Sequence, residues 1–358
     1  MREPITIVGA GPAGITAAIV LRRHGIPVRV YEKFPDAGYR LNGDFQGFEN
    51  WSSEQDITDL LKEIGIIPNF LLVPYHCGTV YAPGMKPVTV TSGRPIFYLV
   101  KRGAVPGSLD FGLRAQAEAL GVEFVFNHRV DNFDRMSIVG TGPSGADAVA
   151  IGMTFETSWD DTAIVAFNDD LAHGGYAYLL VHGGRGTMAS VLYGEGMAER
   201  EAFGRMVDFF QRELCLEIRN ERRFSGFASF FLRDSQVVRK CLYVGESAGF
   251  QDCLWGFGMR YAMLSGYLAA SSILKGVSYD RLWKKALRPM LETSLVNRYL
   301  IELFGAVGYR YLARRFDSGD PCVFLRRHYN YSLGKHLLLP FAKRALRGRF
   351  QLREVMSS

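Results

Sequence analysis

The stretch Pro4-Ile-Thr-Ile-Val-Gly-Ala-Gly-Pro-Ala-Gly14 decides the fold of this chain. Its first five residues predict a short buried strand that ends at a glycine. Residues 12–24 then carry apolar side chains at helical spacing, and residues 27–32 predict a second strand that ends at Glu32. A strand, a helix and a second strand in this order form a βαβ unit, so we predict a parallel sheet at the start of the chain.

The glycines of this stretch have the spacing G-x-G-x-x-G. Gly9 permits the tight turn from strand to helix, Gly11 lets the backbone approach a pyrophosphate, and Gly14 lets the helix pack on the strand. Pro12 and Ala13 belong to the first turn of the helix, whose positive amino end attracts the anion. The pattern therefore predicts a site for a dinucleotide.

An acidic residue at the end of the second strand completes this pattern. Glu32 follows Gly14 by eighteen residues, where a carboxylate accepts hydrogen bonds from ribose hydroxyls, and Lys33 comes directly after it. We interpret the unit as a dinucleotide-binding site rather than as a glycine-rich turn alone. Its candidate residues are Gly9, Gly11, Pro12, Ala13, Gly14, Glu32 and Lys33.

The composition is that of a globular protein with a sizeable core. Of the 358 residues, 48% are hydrophobic and 22% are charged, which excludes a disordered chain and predicts two or three domains. We find no run of eighteen apolar residues that could span a membrane, and the immediate first strand leaves no room for a signal peptide. The five cysteines are scattered, so we expect reduced thiols, no metal site and a cytoplasmic protein.

The remainder of the chain alternates helical and strand-rich segments. We expect a capping box of Ser52 and Gln55 ahead of a helix whose apolar face holds Ile57, Leu60 and Ile64. The further predicted elements are antiparallel strands within 77–100, a helix at 109–120, a hairpin of Tyr176–Val181 with Thr187–Tyr193, a helix at about 195–214, strands at 226–232 and 237–244, and a helix at 258–274.

Two motifs near residue 250 indicate which dinucleotide binds. The segment Gly245-Glu-Ser-Ala-Gly-Phe250 is followed by Gly256-Phe-Gly-Met259 and by a helix rich in small residues. This arrangement resembles the second flavin motif of the geranylgeranyl reductase family, which are FAD-dependent oxidoreductases of the aromatic-hydroxylase-like superfamily. Gly175-Tyr-Ala-Tyr178 is similar to a strand of that family's substrate domain.

The resemblance implies FAD as the cofactor and adds residues to its site. Arg102 stands where the family places an arginine near FAD, and segment 245–259 is expected to contact the remainder of the cofactor. The additional cofactor-binding candidates are Arg102, Val130, Gly245, Glu246, Gly256, Gly258 and Met259. The candidate substrate-facing residues are Asn42, Tyr176, Tyr178 and Trp255, and no catalytic residue is assigned.

Four departures from the family pattern mark the chain as a divergent member. Glu246 replaces the usual Asp, and Thr141 stands where flavin hydroxylases carry the acid of an A-D-G motif. Asn42 begins an Asn-Gly-Asp segment where the reductases commonly carry Cys-Gly, and Tyr178 replaces Trp. The cofactor site therefore transfers from the family better than the details of substrate binding.

The fold class that these observations predict is α/β, with a Rossmann-type FAD-binding domain, an inserted antiparallel-sheet substrate domain and a C-terminal helical region. The FAD-binding domain is assigned to residues 1–75, 96–150 and 237–275. The substrate-binding sheet domain takes residues 76–95 and 151–236, and the basic helical region takes residues 276–358.

No second dinucleotide-binding unit is predicted. Gly140-x-Gly142-x-x-Gly145 has the glycine spacing, but it follows a short strand and precedes no clear helix, so we interpret it as a loop. We therefore expect an external electron donor, either NADPH or a redox protein. His173 and His182 lie near the predicted substrate sheet, and we interpret both as structural.

The resemblance implies an enzyme that reduces carbon–carbon double bonds of an apolar prenyl or lipid-like substrate by hydride transfer from reduced flavin. One alternative is a flavin-dependent monooxygenase or halogenase of the same fold, which Thr141 and the lack of a W-x-W-x-I-P motif disfavour. A second alternative is a non-catalytic flavin-binding protein that uses its C-terminal helices as an interaction surface.

Positive charge is concentrated toward the C-terminal end. Residues 271–358 contain seventeen Lys and Arg against six Asp and Glu, whereas the whole chain has a net charge of +6. The rest of the chain is therefore mildly acidic. This asymmetry predicts an anionic partner; we expect a membrane surface, contacted peripherally from the cytoplasm, and no nucleic acid. A solvated helical face is the alternative.

Overall fold

The computed structural model describes residues 3–131, 136–194 and 199–347. The strands are β1 (Ile5–Val8), β2 (Val28–Tyr31), β3 (Asn42–Glu49), β4 (Val73–Tyr75), β5 (Cys77–Tyr81), β6 (Val88–Thr91), β7 (Phe97–Gly103), β8 (Glu123–Val125), β9 (Ser137–Val139), β10 (Ala148–Glu156), β11 (Thr162–Ala166), β12 (Tyr176–His182), β13 (Arg185–Tyr193), β14 (Arg219–Ala228), β15 (Val237–Val238) and β16 (Cys241–Tyr243). The helices are α1 (Pro12–Arg23), α2 (Ile57–Ile64), α3 (Leu109–Ala119), α4 (Glu199–Leu214), α5 (Met259–Lys275), α6 (Tyr279–Ala286), α7 (Arg288–Asp317), α8 (Pro321–Tyr329) and α9 (Leu333–Leu346). A short 3-10 turn spans Gly245–Ala248.

The first sheet has the strand order β15-β16-β9-β1-β2-β8. β1 pairs in parallel with β2 and with β9, β2 with β8, and β9 with β16, so that only the short edge strand β15 runs antiparallel in this described sheet. Along the chain, the strands extend from β1 to β2 and β8 on one side and to β9 and β16 on the other. The topological switch point therefore lies beside β1, where open α/β sheets bind ligands.

Two glycines bring the helices of this domain into close contact. Gly14 packs α1 against the end of β1, because a Cβ at residue 14 would lie 2.1 Å from the carbonyl oxygen of Gly9. Gly266 brings α5 against α1, because a Cβ there would lie 2.1 Å from the carbonyl oxygen of Ala13. The apolar core around this contact includes the buried residues Ile7, Ala17, Val30, Met263 and Ala270.

The second sheet has the order β14-β10-β13-β12-β11-β5-β6 and is antiparallel except between β11 and β5. Side chains on β12 alternate between its two faces. Ala177 and Leu179 belong to the apolar cluster that Phe203 of α4 completes on one face. Tyr176 and Tyr178 therefore lie on the other face, toward the first sheet.

A three-stranded sheet with the order β3-β7-β4 connects the two larger sheets. Phe48 of β3 is buried in the core of the first sheet. Three residues earlier, the amide of Phe45 donates a hydrogen bond to Thr187 Oγ1 on β13, at 2.8 Å. The hydroxyl of Tyr75 on β4 donates to the carbonyl oxygen of Val181 on β12, also at 2.8 Å. The two large sheets are thus held at a fixed distance.

The C-terminal helices pack beside the second sheet. Helix α7 is kinked at Gly305, where φ is 49° and ψ is −130°, a backbone conformation that glycine adopts without a Cβ clash. Asp320 caps α8 and also accepts hydrogen bonds from Ser92 Oγ at 2.9 and 3.0 Å, which ties this helix to the end of β6. None of the described helices combines the length and the apolar character that crossing a membrane requires.

The predicted fold class is confirmed by this architecture. A Rossmann-type parallel sheet, an inserted mainly antiparallel sheet and a C-terminal helical region are all present. The domain boundaries given above stay a prediction. The predicted helix at about 195–214 begins, within the described residues, at Glu199, whereas residues 195–198 lie outside them.

Three local predictions are wrong. The single strand predicted at 237–244 is an antiparallel pair, Val237–Val238 with Cys241–Tyr243, because the backbone turns at Arg239, where φ is 56°. The cap of α2 is Asp56, whose carboxylate accepts a hydrogen bond from the amide of Thr58 at 2.9 Å, and the hydroxyl of Ser52 instead donates to Glu49. The strand predicted at 226–232 is Arg219–Ala228. Its charged residues are exposed because β14 is an edge strand, whereas the backbone leaves the sheet at Ser229.

The close contact between α1 and α5 predicts opposite effects of alanine at two helical glycines. Gly266→Ala is expected to lower the free energy of unfolding by about 1–3 kcal/mol, because the new methyl group collides with backbone. Gly204→Ala in α4 is the matched control and should raise that free energy by about 1 kcal/mol, since nothing lies within 4 Å of its Cβ position. Urea unfolding measures both, and equal effects would contradict the close packing.

Candidate active site

A cavity of about 550 Å³ lies between the first sheet and the second sheet. One end is built by the backbone turns that follow β1, β2, β9 and β16. The other end is lined by apolar and aromatic side chains from the second sheet and from the C-terminal helices. Because the carboxyl ends of parallel strands and a helix amino end meet at the first end, that end is suited to an anionic ligand.

The amino end of α1 faces open space in this cavity. Gly11 is the N-cap, and no described side chain caps the helix there. A Cβ at residue 11 would meet no atom within 4 Å, whereas a Cβ at Gly9 would lie 2.1 Å from the carbonyl oxygen of Gly140. Gly9 and Gly14 thus serve packing, and Gly11 leaves the first amides of α1, which lack intrahelical acceptors, accessible to a ligand.

Glu32 closes the same end of the cavity. Its Oε2 accepts a hydrogen bond from the amide of Ala10 at 2.8 Å, and its Oε1 accepts one from the amide of Phe34 at 3.0 Å. These bonds fix the carboxylate, and each oxygen keeps a further lone pair for a hydroxyl donor. Lys33 lines the cavity next to it, with Nζ 5.0 Å from the ring centre of Phe34.

Arg102 lies in the cavity wall with its charge already paired. Its Nε and Nη2 donate to the two carboxylate oxygens of Asp110 at 2.8 and 2.9 Å, and its Nη1 donates to Gln46 Oε1 at 3.1 Å. Such a two-pronged ion pair fixes the plane of the guanidinium. Asp110 and Gln46 therefore hold the guanidinium of Arg102 in one position in the cavity wall. Because Asp110 balances its charge, Arg102 adds little net positive charge there.

Glu246 is an acidic residue enclosed in the same wall. Burial raises its pKa from 4.5 to about 7, although the hydrogen bond from the amide of Ser229 and the charges of Arg40 and Arg102 favour the ionised form. The hydrogen bond to Ser229 measures 3.2 Å. The carboxyl of Glu246 is thus close to the balance between its neutral and ionised forms at neutral pH.

A second helix amino end, that of α5, also lies at the cavity. Gly258 is its N-cap without a described side-chain partner, and Gly256, Gly258 and Met259 line the wall. Gln251 supports this turn, because its Nε2 donates to the carbonyl oxygen of Gly256 at 2.7 Å. Its Oε1 is buried with no hydrogen-bond partner in the described part of the chain. Gln251 therefore holds the turn that precedes α5 in place.

Aromatic rings form the apolar end of the cavity. The ring centre of Trp255 lies 5.7 Å from that of Tyr176 and 5.2 Å from that of Phe167. The Tyr176 hydroxyl donates to the carbonyl oxygen of Trp255 at 2.6 Å. Trp51 and Phe257 pack edge to face at 4.8 Å. The C-terminal helices contribute Phe316, Pro321 and Leu325 to this end.

Tyr178 brings a further hydroxyl group to this aromatic wall. The hydroxyl makes no hydrogen bond within the described ranges, and the side chain lines the cavity. Burial raises the pKa of Tyr178 well above its ordinary value, and the nearby Asp44 and Tyr176 act in the same direction. Tyr178 therefore keeps its proton at every physiological pH.

The cavity brings together most of the candidates named from the sequence. The candidates that line it are Gly11, Pro12, Ala13, Glu32, Lys33, Arg102, Gly245, Glu246, Gly256, Gly258, Met259, Tyr176, Tyr178 and Trp255.

Four candidates do not line this cavity. Gly9 and Gly14 serve packing where β1 meets α1. Asn42 is exposed at the start of β3, where its backbone amide donates to Asp44 Oδ1. Val130 is half-buried in the segment after β8. His173 and His182 do not line the cavity either.

Sequence reasoning missed several lining residues. Gln251 and Phe257 lie inside the motif region near residue 250, so the motif itself could have identified them. Arg40, Gln46 and Trp51 come from the segment around β3, which carries no motif. The loop interpretation of residues 140–145 is confirmed, and Gly140, Thr141 and Gly142 form part of the wall.

The raised pKa of Glu246 predicts a pH-dependent loss of stability in the ligand-free protein. The folded state favours the neutral carboxyl, so its stabilising contribution is complete below pH 4.5 and is lost as the pH rises to about 7. Relative to Glu246→Gln, the wild type should lose up to about 3 kcal/mol of unfolding free energy across this window. Urea unfolding at several pH values measures the difference, and a constant difference would contradict the assignment.

The sequence comparisons concern the first βαβ unit. A family model described as an NAD(P)-binding Rossmann-like domain matches residues 7–62. Thiamine thiazole synthase from Sulfolobus acidocaldarius is 37% identical over 66 residues, which are 18% of this chain and 25% of that protein. The enzyme of the same name from Methanococcus maripaludis is 40% identical over 62 residues, 17% of this chain and 24% of that one. The chain thus spans about a quarter of the length of these relatives.

The structural comparisons cover nearly the whole chain. A geranylgeranyl bacteriochlorophyll reductase-like protein from Thermoplasma acidophilum superposes with a TM-score of 0.71 and 15% identity, covering 96% of this chain and 98% of that one. A flavin-dependent brominase superposes with a TM-score of 0.66 and 13% identity, covering 97% of this chain and 99% of that one. A flavoprotein/dehydrogenase from Cytophaga hutchinsonii superposes with a TM-score of 0.62 and 16% identity, covering 97% of this chain and 100% of that one. The chain therefore has the fold of the FAD-dependent oxidoreductases, as the resemblance to geranylgeranyl reductases predicts.

Proposed function

We propose that this chain is an FAD-dependent oxidoreductase that reduces carbon–carbon double bonds of an apolar, prenyl- or lipid-like substrate. The proposal is carried by one cavity that is lined by the amino ends of α1 and α5, by Glu32 and by aromatic side chains. A cavity of this kind can hold an anionic dinucleotide next to an apolar substrate. The flavin-dependent brominase of the same fold supports the choice of a flavin cofactor.

The residues of the anionic end fit FAD. The open space at Gly11 admits a pyrophosphate against the amino end of α1, where a side chain would occupy that space. Glu32 has free lone pairs for ribose hydroxyls. The amino end of α5 at Gly258 stabilises nearby negative charge by about 0.3–1 kcal/mol, and by more where it is partly buried.

The apolar end fits an aliphatic substrate with isolated double bonds. Trp255, Phe257 and Tyr176 form a wall with no described charged group among them, which excludes water and orients an apolar chain. Bound FAD, once reduced, supplies the hydride for such a reaction. Tyr178 lines the cavity, and its hydroxyl is the proposed donor of the proton that must accompany the hydride.

We propose that electrons come from an external donor, NADPH or a redox protein. The glycine-rich segment 140–145 forms part of the cavity wall beside Gly9 and is not a second nucleotide-binding unit. Reduction of the flavin therefore requires a donor that binds transiently.

A flavin-dependent monooxygenase or halogenase is the second candidate. The nearly complete overlap with a brominase favours it. Thr141 weighs against it, because this neutral side chain occupies the cavity wall where the resemblance places the acid of flavin hydroxylases. The two candidates differ in their need for oxygen and in the atoms that the product gains.

Binding of FAD is the first prediction of this proposal. Purified protein should carry noncovalent FAD with visible absorption, and Gly11→Val should abolish it by filling the open space at the amino end of α1. Glu32→Ala should weaken FAD binding by about 1–3 kcal/mol, the cost of losing a charged acceptor. Gly334→Val, another position with no atom within 4 Å of its Cβ, is the control. Unchanged FAD affinity in both site variants would contradict the cofactor site.

Anaerobic turnover separates the two candidate enzymes. Photoreduced protein mixed with unsaturated prenyl lipids should regain oxidised-flavin absorbance, and mass spectrometry should show a product heavier by two hydrogens. A requirement for oxygen, with an oxygen or halogen atom in the product, would replace the reductase by a monooxygenase or halogenase.

The Tyr178→Phe variant is the matched control for this experiment. It should slow reoxidation by the prenyl substrate at least about 100-fold, the scale of general acid catalysis, and leave reoxidation by oxygen unchanged. Equal slowing of both reactions would mean that Tyr178 supports the flavin site and not proton transfer.

A further inference from the structure

The second half of α7 presents an apolar stripe to solvent. Leu303, before the kink at Gly305, and Val307 and Tyr311, one turn apart after the kink, are all exposed, and so is Phe304. Their exposed fractions are 61%, 59%, 47% and 56%, respectively. The opposite side of the same helical segment is buried, since Tyr309, Ala313 and Phe316 belong to an apolar cluster of the interior. This part of α7 is therefore apolar on two faces.

Helix α9 also presents apolar residues to solvent. Leu333, Leu337 and Phe341 follow one another at intervals of four residues, with exposed fractions of 76%, 64% and 64%. On its other side, Leu339, Ala342 and Leu346 pack against Leu295 and Val296 of α7. A helix that needed only to pack on the protein would carry polar residues on its outer face. We call the outer stripes of α7 and α9 together the C-terminal apolar surface.

Basic residues flank the C-terminal apolar surface. Arg310 and Arg314 lie one turn from Val307 and Tyr311, and Arg344 lies one turn from Phe341. Arg327 of α8 adds a further exposed charge. None of these four arginines forms an ion pair with another residue of the described ranges. Their positive charges are therefore available to an external anionic partner.

We propose that the C-terminal apolar surface docks on an anionic lipid membrane. Exposed Leu and Phe side chains next to unpaired arginines are the features by which interfacial helices bury an apolar face among acyl chains and attract acidic headgroups. A second copy of the chain is disfavoured as the occupant, because it would bring two positively charged surfaces together. The proposal concerns docking and does not depend on flavin chemistry.

The position of the C-terminal apolar surface connects it with the cavity. Helix α7, which carries part of this surface, supplies Phe316 to the apolar end of the cavity, and the intervening helix α8 supplies Pro321 and Leu325. A membrane docked on these helices would lie on the side of the protein that contributes this apolar wall. Docking would thus bring membrane lipids close to the end of the cavity that fits an apolar substrate.

Vesicle co-sedimentation tests the docking. The full chain should sediment with vesicles of phosphatidylglycerol mixed with phosphatidylcholine, should bind pure phosphatidylcholine far more weakly, and should be released in part as salt screens the charges. Replacing Arg314, Arg327 and Arg344 together by Gln should lower partitioning about 100-fold, since each basic residue contributes about fivefold, equivalent to about 1 kcal/mol. Replacing Lys62, Lys86 and Lys240, exposed lysines elsewhere on the chain, by Gln removes the same charge and should change little.

A second experiment tests insertion of the apolar stripe. Phe341→Trp should gain fluorescence that lipids with brominated acyl chains quench, whereas Ile67→Trp, at a position 62% exposed and remote in sequence, should not. The triple variant Leu333→Gln, Leu337→Gln and Phe341→Gln should lose the binding that persists in high salt. All altered side chains are exposed, so an unchanged urea unfolding midpoint shows that the variants fold.

Several results would overturn the proposal. Equal binding to neutral and acidic vesicles, or binding to neither, would remove the anionic membrane as the partner. Equal losses in the arginine variant and in the lysine control would show nonspecific attraction. A lipid-free dimer that the apolar triple variant dissociates would assign the surface to a second copy of the chain. Because vesicle binding is measured without substrate, none of these results affects the test of the proposed reaction.

Discussion

The close approach of α1 to α5 is the constraint on which the site depends. Gly14 lets α1 lie on the end of β1, and Gly266 lets α5 lie on α1, because both positions have backbone oxygens where a Cβ would be. Two helices from distant parts of the chain therefore place their amino ends, at Gly11 and Gly258, in one cavity. A single ligand in this cavity would meet both partial positive charges. This arrangement suits FAD, which carries a pyrophosphate and a reducible ring.

Buried polar contacts hold the aromatic end of the cavity beside the amino end of α5. Arg260, directly after the amino end of α5, pairs with Glu49 at 3.0 Å, and both side chains are almost fully buried. This pair fixes the end of β3, and with it Trp51, beside the helix. Asp252 accepts hydrogen bonds from the amide of Trp255 and from the Tyr329 hydroxyl, which connects the aromatic turn to α8. Buried ion pairs contribute little net stability, so their effect here is positional.

The sequence predicted the glycine-rich end of the cavity through continuous motifs, whereas it predicted the aromatic end only through single residues, for a physical reason. Phosphate recognition uses backbone amides and glycines at fixed spacing, so residues 9–14 and 245–259 reveal it directly. The apolar end is assembled from single side chains of remote segments, such as Trp51, Phe167 and Leu325, whose only common property is burial. Asn42 shows the same limit, because a family loop does not determine where its side chain points. The cap of α2 was mistaken because Ser52 and Asp56 are both good N-caps and only packing selects Asp56.

In the C-terminal helices, the charged residues and the apolar residues predict different things. The count of basic residues predicts an anionic partner, but it does not show which residues would contact that partner. Apolar residues occur on both the buried and the exposed faces of α7 and α9, so their pattern in the sequence does not distinguish the two faces. Only the packing of Leu339 and Ala342 against α7 shows that Leu337 and Phe341 face outward. The proposed apolar substrate is poorly soluble in water, so it would reach the protein most readily from a lipid phase. The proposed docking surface includes part of α7, which also contributes Phe316 to the apolar end of the cavity, so docking would shorten that transfer.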